Sequence, residues 1–239
     1  MENINIQTLN KKQWLASEFK DYYNFIDSLK ASQDKCNWEQ TIVKTKLPCL
    51  ALGSEKTKLI ANQIYKGNYV DFLKNIKFKT HTDTIIFALL LNKIKDFDLF
   101  KSLLISFSTK VDNWASCDTL KHKNKDKQKL LELCYLLLKN KYNFARRIAV
   151  NILFEFINKE DIKTIFKVLD FLQQENDYYV NMSAAWLLCE CFIKLREESL
   201  SYYKSNKTNR FIINKSISKC HDSFRVNAED KLLLKTFKK

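Results

Sequence analysis

The sequence predicts an all-α protein, and two observations carry that prediction. Glycine and proline are nearly absent, and apolar residues recur at helical spacing almost from end to end. Only 2 Gly and 1 Pro occur in 239 residues, of which 46% are hydrophobic and 28% charged. A chain this apolar and this poor in Pro and Gly does not stay disordered. An all-β sandwich or barrel needs many tight turns at positive φ, and two glycines cannot supply them. Gly53 and Gly67 are the only glycines, so neither a P-loop nor a dinucleotide-binding fingerprint can be built.

In chain order, the apolar spacing marks helices over about 11–30, 37–45, 54–66, 69–77, 83–95, 97–108, 113–121, 127–139, 142–157, 160–174, 178–195, 197–205, 209–222 and 228–237. Pro48 breaks the chain after the second. Ser54 opens the third, and Gly67 stands where a left-handed C-terminal cap would close it. Asn158-Lys-Glu-Asp161 and Asn227-Ala-Glu-Asp230 resemble capping boxes, and Asp177 precedes a long apolar helix. No Pro/Gly/Ser-rich linker divides the chain, so a single domain over residues 1–239 is expected. Three later helices carry a similar body: LLELCYLLLKN, ARRIAVNILFEFIN and MSAAWLLCECFIKL. Their separation suits a two-helix solenoid repeat of roughly 35–47 residues. In such an array, residues distant in sequence can meet on one concave surface lined by the inner helices.

Lys+Arg 41 against Asp+Glu 27 leaves a net charge of +14, which favours a polyanionic partner such as nucleic acid. The longest purely apolar stretch, Ile85 to Leu91, is far shorter than the roughly 20 residues of a transmembrane helix. The segment MENINIQTLNKKQW lacks the apolar core of a signal peptide. The 7 cysteines are odd in number and mostly sit in apolar runs, as buried free thiols in a reducing cytoplasm do. Cys189 and Cys191 point about 200° apart on a helix and cannot share a metal. The histidines, 81, 122 and 221, are scattered without metal-ligand spacing. Neither a metal nor a cofactor is expected.

Three places depart from ordinary amphipathic patterning. In Val111-Asp-Asn-Trp-Ala-Ser-Cys-Asp118, a helix puts Trp114 and Asp118 on one face, where a carboxylate needs a partner or water. Asn143, Arg147 and Asn151, spaced by four, form a polar stripe on an otherwise apolar helix. Arg147 has no acid three or four residues away, and its guanidinium suits a phosphate or a salt bridge to another helix. Trp186 lies in a helix apolar nearly all round, where a tryptophan is usually core. The run Lys121-His-Lys-Asn-Lys-Asp-Lys127 follows Asp118 directly, either a solvated loop or a backbone contact through Lys121, Lys123 and Lys125.

Together, Trp114-x3-Asp118, Arg147 and Trp186 resemble the active-site signature of the bacterial DNA alkylation-repair glycosylases of the AlkD type. The surrounding text, VDNWASCD, NFARRIAVNILF, DYYVNMSAAWLL and NKSISKCHDSFRVNAEDK, is similar as well. The resemblance covers roughly residues 50–239 and is strongest from 111 onward, leaving 1–49 as divergent N-terminal helices. Leu50-Ala-Leu-Gly-Ser-Glu-Lys-Thr-Lys-Leu59 lacks the arginines and proline of the family's LGVR and P-x-L-R segments.

The resemblance implies a HEAT-like helical-repeat solenoid with a concave basic groove. It implies a monomeric, cytoplasmic, nucleoid-associated enzyme acting on double-stranded DNA that carries alkylated purines. Asp118 would be the catalytic carboxylate, with Trp114 and Trp186 flanking the lesion. Arg147, Asn143, Asn151 and the three lysines would contact DNA. The competing expectation is a helical module that binds DNA without cleaving a glycosidic bond. A catalytic arrangement requires the four signature side chains to gather in one open groove.

Overall fold

The computed structural model describes residues 6–123, 125–205 and 207–238. It is 71% helical, and no strand occurs among the described residues. The helices are α1 (Ala16–Ser28), α2 (Gln33–Val43), α3 (Ser54–Lys66), α4 (Tyr69–Asn75), α5 (His81–Leu91), α6 (Phe97–Ser108) and α7 (Trp114–Thr119), followed by α8 (Lys127–Leu138), α9 (Asn143–Ile152), α10 (Ile162–Phe171), α11 (Tyr178–Lys194), α12 (Arg196–Ser205), α13 (Arg210–Asp222) and α14 (Ala228–Lys235). Each matches one of the expected segments. The differences lie at the ends, where α9 and α10 tighten into single 3₁₀ turns over Leu153–Phe156 and Leu172–Gln174.

Side-chain caps fix most of the starts. Asn68, Thr80, Asp96, Asn113, Asp126, Asp177, Asn209 and Asn227 each accept a backbone N–H of the helix that follows. Each such cap is worth about 1 kcal/mol. Asp177 and Asn227 are the caps the sequence suggests. Two details differ from expectation. Gly53, at φ +75°, is the N-cap of α3, and Ser54 is its first helical residue. Gly67 is extended, with φ −100° and ψ −151°, and no left-handed cap forms. Its glycine is required by close approach, because a Cβ there would collide with the Lys11 carbonyl and lie 2.7 Å from the Lys11 nitrogen.

The chain divides into two compact units at Lys121–His122. In the first, α3, α5 and α7 pack in sequence, with α4 and α6 also against α5. Trp14, Phe19, Tyr22 and Phe72 form an aromatic cluster beneath α1 and α4. The buried Tyr22 hydroxyl donates to Asp83 at 2.7 Å, tying α1 to α5.

In the second unit, alternate helices form two rows. α9, α11 and α13 pack side by side. Across the other row, Phe166 of α10 stacks on Tyr202 of α12 at 4.2 Å, and the Tyr202 hydroxyl donates to Asp170. Arg196 continues the row by donating to Asp230 at the start of α14. This is the stacking of a two-helix repeat: each hairpin buries its apolar face only against its neighbours. All seven cysteines are free and buried, as the sequence predicts.

Candidate functional site

Trp114, Asp118 and Lys121 belong to the first unit. Lys123, Lys125, Asn143, Arg147, Asn151 and Trp186 belong to the second.

Six residues make too short a helix to stand alone, and α7 is held by its neighbours. Asn113 is buried, and its side chain caps the helix by accepting from Ser116 N at 2.9 Å. The Ser116 and Thr84 hydroxyls, both fully buried, bond at 2.7 Å and fasten α7 to α5. At the other end Asn92 brackets the chain, donating to Thr119 O and accepting from Lys121 N. Toward α2, the Trp114 indole N–H donates to Ile42 O at 3.2 Å. Asp112 receives the Thr45 hydroxyl and Lys46 N, each at 2.6 Å. Trp114 and Asp118 are consequently half-buried on one face of a helix whose orientation is fixed from both sides. A carboxylate and an indole held this way need little reorganisation to meet a ligand.

The polar stripe on α9 has partners throughout. Asn143 donates to Asp177 at 2.8 Å, Arg147 Nη1 donates to Tyr179 O at 2.6 Å, and Asn151 accepts the Ser183 hydroxyl. All three partners sit on α11 or at its cap, so the stripe is a seam between the two helices. Arg147 is only 5% exposed. Its guanidinium is embedded in protein. The adjacent Arg146 makes a two-pronged ion pair with Glu175, at 2.6 and 3.1 Å. Burial raises the Glu175 pKa, but the bond and charge of Arg146, together with the Asp177 and Asn176 backbone N–H groups, outweigh it and hold the carboxyl below its usual range.

Trp186 differs from the expectation of a core tryptophan. Ten of the 17 residues of α11 are buried, yet this indole is 37% exposed and rests on Phe154 at 4.5 Å between ring centroids. One turn along lies Glu190, a residue the sequence reading passed over. Arg225 grips it with two bonds and lowers its pKa, and the Trp186 side chain adds to that lowering as a donor. Trp186-x3-Glu190 therefore repeats the helical spacing of Trp114-x3-Asp118. The same i, i+4 test finds it once α11 is read as a helix.

Of the lysine run, Lys121 and Lys123 are exposed and Lys125 is half-buried. Asn124 lies outside the described residues. Lys127 is paired with Asp161 at 2.9 Å. His122, at the head of the run, is fully buried, which with nearby Lys125 lowers its pKa to about 3. It is a neutral ring at physiological pH.

A third cluster escaped the sequence reading altogether. Glu39 of α2, Cys49 of the loop after it and His81 at the start of α5 bring one ligand atom each within 4.8 Å of one another. Spacings of 10 and 32 residues, across three elements, hide this arrangement from any motif.

No curated protein and no solved structure matches the chain. The sequence does match the family described as DNA alkylation repair enzyme, over residues 27–219. The match begins earlier than the resemblance at residue 50 suggested, taking in α2, and it ends within α13. It includes Trp114, Asp118, Arg147 and Trp186. Covering most of both compact units, it establishes that the chain belongs to the DNA alkylation repair enzyme family.

Proposed function

We propose that this repair-family protein is a monofunctional DNA glycosylase, which hydrolyses the N-glycosidic bond of positively charged alkylpurines, 7-methylguanine and 3-methyladenine, in duplex DNA. The observation that carries the reading is the presentation of Asp118. Its carboxylate shares a half-exposed face with Trp114 on a helix bolted to two neighbours.

The chemistry needs little more. Alkylation at N7 of guanine or N3 of adenine leaves a cationic base, already a good leaving group, so no general acid is required. Sugar hydrolases, by contrast, use two carboxylates. One suffices here, placed to stabilise the oxocarbenium charge that develops on the deoxyribose and to orient the attacking water. Asp118 takes that part. Trp114 and Trp186 flank the lesion, where each indole face contributes about 0.5–2 kcal/mol of cation–π attraction once water is excluded. Asn143, Arg147 and Asn151 act by locking α9 to α11, the helix that carries Trp186, while Lys121, Lys123 and Lys125 add non-specific phosphate contact. The protein acts as a monomer with no cofactor.

The second reading is a helical module that binds DNA without excision, for which the +14 charge alone would serve. One experiment separates the two. Purified protein is incubated with methylated duplex DNA, and free 7-methylguanine and 3-methyladenine are quantified against the spontaneous rate. The glycosylase reading expects release by the wild type, and loss of release in Asp118→Asn with duplex affinity within about threefold of wild type. Wild-type binding without release supports the module. Undiminished release by Asp118→Asn contradicts the role given to that carboxylate.

A further inference from the structure

Away from Asp118, the first unit holds Glu39, Cys49 and His81 with their donor atoms gathered inside 4.8 Å. Cys49 and His81 are buried, and Glu39 is half-buried. Glu39 Oε1 lies 3.5 Å from His81 Nδ1, and its other oxygen accepts Ala51 N at 2.9 Å. Backbone contacts hold the same three segments together. His81 N donates to Pro48 O at 2.9 Å, and Cys49 N donates to the Gln40 side chain at 3.2 Å. The second ring nitrogen of His81, Nε2, is buried and has no hydrogen-bond partner among the described residues. Within the cluster the Glu39 carboxylate accepts from both His81 and the Cys49 thiol, so the three donor atoms already converge and only His81 Nε2 is left unused.

Sulfur, imidazole nitrogen and carboxylate oxygen in a closed pocket match the ligand preferences of zinc(II). Bond lengths of about 2.0–2.3 Å put the ligand atoms of a tetrahedral zinc roughly 3.5 Å apart. The donor atoms lie within 4.8 Å of one another, so zinc binding requires them to draw together by about 1 Å. Hard-cation sites use oxygen donors alone, so the thiol argues against calcium and magnesium.

We propose that Glu39, Cys49 and His81 form a zinc(II) site, with water as the fourth ligand. Binding replaces the thiol proton of Cys49, which passes to solvent, by a sulfur–zinc bond, with no change of oxidation state. The metal ties α2 to the start of α5. Those are the two helices on which α7 is seated, through Ile42 O and Thr84. The site rests on its own geometry and stands whether or not Asp118 is catalytic.

The test uses the full chain, purified without chelator and freed of any histidine tag. Metal content is measured by mass spectrometry after dialysis with one equivalent of zinc, and cobalt(II) is then substituted as a spectroscopic probe. The expected result is one zinc per chain and a thiolate-to-cobalt charge-transfer band. Both are lost in Cys49→Ser and in His81→Ala, with helical circular dichroism retained. Should either variant unfold, the wild type still decides: zinc raises its melting temperature and EDTA reverses the rise. No retained zinc and no charge-transfer band in the wild type overturns the site. So does a cobalt band that survives Cys49→Ser, which would place the metal on other cysteines.

Discussion

A buried histidine shows how a single residue reports on the whole fold. The His122 pKa is depressed from 6.5 to about 3, first by burial and then by Lys125. As pH falls below about 6.5, the unfolded chain takes up a proton that the folded chain refuses until about pH 3. Stability is therefore present above that window and is lost across it, by up to about 1.4 kcal/mol per pH unit. Denaturant unfolding between pH 7 and pH 5 is expected to show this loss, and His122→Asn is expected to flatten it. An equally steep loss in the variant would mean that other groups carry the acid sensitivity. Residue-level legibility was uneven. Trp114-x3-Asp118 was readable because a helix makes i and i+4 neighbours. The surroundings of Arg147 were not. Its partner is a backbone carbonyl 32 residues away, and a carbonyl leaves no trace in side-chain identity. The exposure of Trp186 was hidden for a related reason. A helix this apolar gives no clear periodicity from which to find its exposed positions.

At the scale of the element, α7 matters most, and hydroxyl and amide bonds fasten its six residues to their neighbours. In a fully buried place the Ser116 hydroxyl bonds to that of Thr84. Thr84 also donates to His81 O, so it is removal of Thr84 that strands a partner, leaving the Ser116 hydroxyl desolvated at a cost of about 1–3 kcal/mol. Thr84→Val is expected to destabilise the protein by that amount. The Thr84→Val/Ser116→Ala double variant should recover part of the loss, because neither hydroxyl is then stranded. A double variant no more stable than the sum of the singles would show that the bond does not couple α5 to α7. The helices themselves were legible because so few glycines and prolines interrupt them, and because Asn, Asp and Thr mark their starts. Gly67 was misread. Local sequence suggests a cap, whereas a tertiary approach by Lys11 dictates the glycine.

At the scale of the molecule, the +14 charge is the property most open to measurement. Phosphate contact by lysines releases counterions, so affinity for undamaged duplex should fall steeply with salt, by roughly a thousandfold between 50 and 200 mM if about six phosphates are neutralised. Affinity indifferent to ionic strength would remove the duplex as the partner of this charge. Composition was enough to read the helical class and the polyanionic partner. The division at Lys121–His122 was not readable, since no Pro-, Gly- or Ser-rich stretch marks it. Nor was the Glu39–Cys49–His81 cluster, which exists only once the start of α5 is folded against Glu39 and the loop after α2.

The central claim is that one carboxylate is enough because the departing base already carries its positive charge. The most direct measurement compares single-turnover base release from two duplexes identical but for one nucleotide, 7-methylguanine in one and the uncharged O6-methylguanine in the other. The account predicts release of the cationic base above the spontaneous rate and none of the neutral one. Equal release from both would contradict it, since a neutral base needs an acid that this reading does not supply.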